Sequence, residues 1–259
     1  MERETIIGEN IKLYRLESQN YISLHPEIYN WFEQKETQRD LELLKKRVNG
    51  NQVLDIGCGM GNITLKLLSL GFKVTALDIS TTMIKEVKRA LPAEIAVNLD
   101  IVETDIDTFL SKPAGKYNLV TMSSVLHHLP NYLETLENLV ETISVGGFLY
   151  ITHEPLKDVL IKKDSIFRKV LWQMDYLCYL VKCKGSIESI NGVDWRLSDY
   201  HLYKGLKHKK VKSLLIKKGL KVDFKTYSSA MRLGISNWVD NRLLQSETQF
   251  KIIAEKKKF

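Results

Sequence analysis

The sequence predicts an α/β protein with a doubly wound, mostly parallel sheet and helices on both faces. Three observations lead there. Between residues 50 and 154, short β-branched runs alternate with segments whose apolar residues recur at helical spacing. A glycine-rich turn, VLDIGCGMGN at 53–62, joins the first run to the first helix. The chain has 259 residues, enough for one large core or a core with an insertion.

The elements follow in order. QVLDI is a short strand ending in glycine, and NITLKLLSL is a helix stopped by Gly71. FKVTALD is the second strand. STTMIKEVKRAL opens on Ser/Thr capping residues and ends before Pro92. EIAVNLDIVETD contains a third strand, KYNLVTMSS a fourth and GGFLYITHE a fifth, with the helix NYLETLENLVETI between the last two. Short right-handed crossovers make a doubly wound sheet the economical topology. Residues 1–47 read as an N-terminal cap segment, with an aromatic-rich stretch and a helix over the first strand within 20–47. Residues 48–259 read as the main domain, interrupted by an inserted lid at about 155–204. Inside that insertion IFRKVLWQMDYLCYLV is a helix with an oily face. Its readings are a lid, a partner contact, a membrane-surface helix or packing on the core. LKHKKVKSLLIKKG follows as a helix with a basic outer face, and KVDFKTYS and QFKIIAEKKK as two strands of a closing hairpin.

Composition narrows the class. With 44% hydrophobic and 27% charged residues the chain is neither disordered, collagen-like nor a coiled coil. Cys58, Cys178 and Cys183 are odd in number and lack zinc spacing, as expected of reduced thiols in a cytoplasmic protein. No uncharged apolar run reaches the ~18 residues a membrane span needs. Residues 1–150 hold 15 Lys/Arg against 20 Asp/Glu, and residues 151–259 hold 23 against 11. A basic half suits a nucleic acid, a membrane surface, an anionic small molecule or simple solvation.

The turn carries the chemistry. Gly57, Gly59 and Gly61 let the backbone bend sharply and approach a ligand. Ligands of open α/β sheets bind at this edge. A dinucleotide fingerprint would read G-x-G-x-x-G, whereas the spacing here is G-x-G-x-G. Asp55 inside the turn would repel a pyrophosphate and attract an ammonium group. Asp78 ends the second strand, where a carboxylate accepts ribose hydroxyls, a feature that nicotinamide enzymes share. Asp105, in VETDID, stands where it could bond an adenine amine or cap the loop.

DxGxGxG, LDIS, the acidic loop, LHHLP and the GG turn, in this order, resemble the class I S-adenosylmethionine-dependent methyltransferases, in particular the small-molecule type with a type 11/12-like domain. The resemblance covers about residues 25–154 and, more weakly, 205–258. It implies a seven-stranded Rossmann-like sheet whose last strand is antiparallel. It also implies S-adenosyl-L-methionine as cofactor and S-adenosyl-L-homocysteine as product. By motif, Asp55 would lie near the methionine ammonium, and Gly57, Cys58 and Gly59 would line the methionine moiety. Asp78 would bind the ribose, with Ile79 and Met83 against the adenine. Asp105 and Ile106 would meet the adenine edge, and Ser123 would close the methionine side. Tyr29 would close over the cofactor or else pack beside Trp31 and Phe32.

The reaction so implied is in-line displacement, accelerated mainly by holding the acceptor near the methyl carbon. A base helps where the acceptor is a hydroxyl or a protonated amine. His127 is the favoured base, since the first histidine of this pair can face the acceptor in the family. His128 is adjacent, and His153 and Glu154 share the ligand edge. The leading expectation is transfer to O or N of a small-molecule acceptor, anionic or lipid-like in character. The alternatives are RNA methylation, disfavoured by the missing Asn/Asp-Pro-Pro-aromatic motif, and a non-catalytic cofactor-binding scaffold.

Overall fold

The computed structural model describes residues 2–112, 115–160, 166–183, 201, 205–229 and 231–258. Its sheet is built from β1 (Gln52–Ile56), β2 (Lys73–Asp78), β3 (Leu99–Glu103), β4 (Tyr117–Ser123), β5 (Ile143–Leu160), β6 (Leu220–Tyr227) and β7 (Glu247–Lys256). Their order is β3-β2-β1-β4-β5-β7-β6. β7 pairs antiparallel with both β5 and β6, and the other pairings are parallel. The chain order reverses beside β1, between β1 and β4. A crevice therefore opens above the carboxyl ends of β1, β2 and β4.

Strand alternation divides the core into two layers. Leu54 and Ile56 point to one face with Val120, Met122 and Leu149, and Val53 points to the other with Val74, Ala76 and Leu119. The first face is covered by α9 (Tyr132–Glu141) through Leu136, Leu139 and Val140, and by α11 (His208–Lys217) through Val211 and Leu215. The second is covered by α4 (Trp31–Arg47) through Leu41 and Leu44, and by α5 (Asn62–Ser69) through Leu67 and Leu68. Both helices show the three- or four-residue apolar spacing that one buried face requires. Asn30 starts α4 by accepting the amides of Phe32 and Glu33, each at 3.1 Å.

Several elements differ from the sequence expectation. Residues 2–17, the first part of the expected N-terminal cap segment, form α1 (Glu2–Glu17), with Ile6 and Leu13 buried. Two short helices follow, α2 (Tyr21–Leu24) and α3 (Pro26–Tyr29). His25 ties this corner together, with its ring nitrogens 3.1 Å from Glu17 and from Glu27. β5 runs on past Glu154 to Leu160, because β7 supplies an antiparallel partner along its extension. The chain therefore leaves the sheet later than residue 155. It returns beside its point of departure, where the Leu206 amide donates to the Pro155 carbonyl at 3.0 Å. Of the segment 155–204, residues 161–165, 184–200 and 202–204 lie outside the described residues. The helix expected within it is α10 (Ile166–Cys183). β6 and β7 do pair, but α12 (Gly234–Val239) and a π-helical turn separate them, and β7 inserts between β5 and β6.

The central strand leaves no room for relaxation. Leu54→Ala should cost about 2–5 kcal/mol, because the cavity it opens lies between packed layers. Leu43→Ala, on the solvent side of α4, should change stability by no more than about 0.5 kcal/mol. Denaturant titration of the two variants checks the contrast.

Candidate active site

After Ile56 the backbone turns through Gly57, Gly59 and Gly61 at φ values of 64°, 50° and 85°. Side chains rarely adopt such angles. At Gly57 space also forbids one, since a Cβ would lie 2.5 Å from Val125 Cγ2. At Gly59 a Cβ would meet nothing within 4 Å. The loop is sewn to β2. The Cys58 amide donates to the Leu77 carbonyl at 3.0 Å. The Gly59 amide donates to Asp78 Oδ2 at 2.8 Å, and the Ser80 amide to Asp78 Oδ1 at 2.8 Å. Asp78 thus fixes the glycine turn and the start of α6 (Thr81–Ala90) together. Burial pushes its carboxyl up, while these amides and the His128 ring pull it down; burial prevails.

Asp55 stands opposite Thr121 of β4 in register, so both side chains emerge on one face. The Thr121 hydroxyl donates to Asp55 Oδ1 at 2.7 Å, and the Thr64 hydroxyl of α5 donates to Oδ2 at 2.5 Å. Burial raises this carboxyl to about 6 against the pull of both hydroxyls, with the charge of Asp78 adding to the rise. The structure makes Asp55 the buried strut of the turn. Cys58 is buried beside it, and burial, with Asp78 and Asp55 nearby, raises its thiol well above the usual value. A thiol so held is a poor nucleophile.

A cavity of about 110 Å³ lies over this edge. Gly57, Asp78, Ile79, Asp105 and Ile106 line it, as do Val125 and His128. Its roof is α1, through Arg3, Ile6, Asn10 and Tyr14. Asp105 caps α8 (Ile106–Leu110) by accepting the Thr108 amide at 3.0 Å and also pairs with Arg3. Burial opposes its ionisation, yet the Thr108 bonds and the Arg3 charge hold its carboxyl below the usual range. Arg3 also reaches Asp107 at 3.2 Å, which latches the roof to the floor. Met83 is buried and is not among the residues that line this cavity.

The two neighbouring histidines part company. His128 faces the cavity, with its Nε2 2.8 Å from the Tyr14 hydroxyl. His127 is buried, with its Nδ1 2.9 Å from Glu154 Oε2. Glu154 also accepts the amides of Val125, Leu126 and His127, at 2.7, 2.8 and 3.2 Å. Burial nevertheless raises it to about 7. Ser123 ends β4 with its Oγ 3.2 Å from His153 Nδ1, and His153 Nε2 is 3.2 Å from Glu33 Oε2. Tyr29 stands at the outer end of the glycine loop, sharing a cavity with Met60, Gly61 and Asn62, its ring edge-on to Tyr21 at 6.0 Å.

Sequence reasoning missed Arg3, Asn10, Tyr14, Tyr21 and Glu33. The apolar residues of α1 make no single stripe, and Gly8 interrupts them, so the helix left no periodic signal.

Residues 54–149 match the family model of a methyltransferase domain, a span running from β1 into β5 and holding the cavity floor. That span, less than half of the chain, is similar to a methyltransferase domain. It is similar to the ubiquinone biosynthesis O-methyltransferase of Shewanella halifaxensis, with 29% identity over 103 residues. That alignment takes in 40% of this chain and 43% of the relative, so the match covers less than half of each protein. The fold resembles magnesium protoporphyrin IX methyltransferase from Synechocystis PCC 6803, solved with bound SAM. There the TM-score is 0.56 and identity 16%, over 96% of this chain and 97% of the other. It also resembles a plantazolicin methyltransferase solved with a triazolic desmethylPZN analogue and SAH, at TM-score 0.58 and 15% identity, over 99% and 98% of the two chains. α1 and α10 lie outside the span matched by the methyltransferase family model.

Two outcomes follow for this domain. Gly57→Ala should destabilise it by about 1–3 kcal/mol through backbone strain and the Val125 contact. Gly59→Ala should cost less, and thermal melts would rank the two. The raised Glu154 carboxyl has a definite sign. Its contribution is whole below its ordinary value of 4.5 and is lost as pH rises through about 7. Wild type should therefore lose stability relative to Glu154→Gln over that window, as read from denaturation midpoints at a series of pH values.

Proposed function

We propose that the protein uses S-adenosylmethionine to methylate an oxygen or nitrogen atom of a small-molecule acceptor. The observation that carries this reading is the Asp78 carboxylate, held at the strand edge by two amides with lone pairs to spare on both oxygens. The surrounding residues fit the cofactor. The carboxylate ends an apolar slot lined by Ile6, Ile79, Ile106 and Leu129, which suits a ribose beside a flat base. Asp78 would hold the ribose hydroxyls, Ile79 and Ile106 would flank the adenine, and the cradle of Gly57, Cys58 and Gly59 would take the amino-acid tail. Ser123 would stand on the methionine side, and Asp105, already paired with Arg3, would act at the adenine edge through that pair. The bound sulfonium supplies an electrophilic methyl carbon. Oxygen is favoured as acceptor by the names of the relatives, which are O-methyltransferases.

The protein's own work is to position the acceptor, exclude water and accept a proton. His127 and Glu154 suit the last task. A carboxylate 2.9 Å from Nδ1 holds the proton there and makes Nε2 the basic nitrogen of the ring. Ionised Glu154 then stabilises the imidazolium. Its raised value ties this support to pH, weak well below 7 and full above it.

Asp78→Ala should weaken S-adenosylhomocysteine binding by about tenfold or more in calorimetry, since charge-assisted bonds to ribose and loop are lost together. With the acceptor found by transfer of labelled methyl into a metabolite extract, His127→Gln should lower turnover about 10²–10⁴-fold. The dissociation constant for S-adenosylhomocysteine should not change. Glu154→Gln should flatten the rise of rate through pH 7. Unchanged turnover in His127→Gln, together with a loss in His153→Gln, would move the base to the second histidine.

A further inference from the structure

The roof helix holds a polar atom that the described residues leave unsatisfied. Arg3, Ile6, Ile7, Asn10 and Tyr14 of α1 all line the cavity. They recur at the three- and four-residue spacing of one helix face. That face is anchored on both sides of Asn10. Arg3 pairs with Asp105 and reaches Asp107 at 3.2 Å, and the Tyr14 hydroxyl lies 2.8 Å from His128 Nε2. Between these anchors Asn10 is only 3% exposed. Its Nδ2 donates to the Ile6 carbonyl, one turn back, at 2.9 Å. That bond orients the carboxamide. The nitrogen has to face the carbonyl, so the oxygen is the arm turned away from it. Asn10 Oδ1 is buried and meets no donor among the described residues.

A buried acceptor without a donor is costly, and asparagine is a poor residue for the middle of a helix. Leucine has nearly the same shape. It would fill this place, between the buried Ile6 and Leu13, with neither cost. From asparagine the fold gains the local bond to Ile6. A donor arriving in the cavity would supply the bond that Oδ1 lacks.

We propose that Asn10 reads the base of the nucleoside: its Oδ1 accepts a hydrogen from the exocyclic amino group of the adenine. The proposal rests on the reading of this cavity as the S-adenosylmethionine site. The nucleoside brings two kinds of donor, the amine and the ribose hydroxyls. The hydroxyls belong with the spare lone pairs of Asp78 at the strand edge. Asn10 instead folds back on Ile6, which lines the apolar slot with Ile79, Ile106 and Leu129. A flat base in that slot presents its amine at an edge. A 6-oxo purine would turn a carbonyl oxygen to the same place, and two acceptors in contact repel. The contact therefore selects by attraction and by repulsion, from a helix outside the span that the methyltransferase family model matches.

Calorimetry on the full chain tests it, with S-adenosylhomocysteine and with S-inosylhomocysteine, in which an oxygen replaces the 6-amino group. The wild type should prefer the adenosyl compound. Asn10→Leu should bind S-adenosylhomocysteine about tenfold more weakly and S-inosylhomocysteine no more weakly than the wild type does. Asn10→Ala, checked for folding by circular dichroism, should show the same loss of preference. The ligand-free Asn10→Leu protein should melt no lower than the wild type, because the unmet acceptor is gone. A lower melting temperature with an unchanged preference would make Asn10 a structural residue and overturn the inference. An equal weakening of both ligands would also overturn it, since Oδ1 would then serve a ribose hydroxyl. Either result leaves the cofactor reading standing. A wild type that binds neither compound would overturn both.

Discussion

The site depends on one carboxylate and two backbone amides. Asp78 closes a bridge from the glycine turn after β1 to the turn after β2, beside the backbone bond from Cys58 to Leu77. The bond is charge-assisted on both sides and buried, so it is strong and also costly to leave unmade. Asp55 performs the matching task one strand over, where Thr64 and Thr121 brace it. Two carboxylates near one another at a strand edge are expensive in isolation. Amide and hydroxyl donors make them tolerable, and a cationic ligand would relieve them further.

Above that floor the protein sets a roof of its own. α1 reaches the floor at two points, through Arg3 to Asp105 and Asp107 and through Tyr14 to His128. The histidines follow the same division of labour. His128 belongs to the wall beneath α1, and His127 belongs to the buried carboxylate behind it.

The order and type of the sheet elements were legible because each strand and helix has its own period and its own stop. The turn at 53–62 was legible because positive φ demands glycine at fixed places. Asp78 could be read from its position at the end of a strand, but not its bonding to Gly59, which depends on the height of a neighbouring loop. The partition of His127 and His128 was hidden for the same reason, since the tight turn at Leu126–His128 decides which ring faces the cavity. α1 was invisible, as its apolar residues serve a cleft rather than a flat core face. Glu33 was hidden by distance, because it meets His153 120 residues away. The oily helix at 166–183 was visible as such, while its polar inner side appears only once Asp175 is seen to face inward.

The most direct test of the central claim is paired calorimetric titration of the intact protein with S-adenosylhomocysteine and with NAD. A turn braced by Asp55 and Asp78 should take up the sulfur nucleoside at one site per chain and leave the dinucleotide unbound. Saturable NAD binding with no heat from S-adenosylhomocysteine would contradict the account.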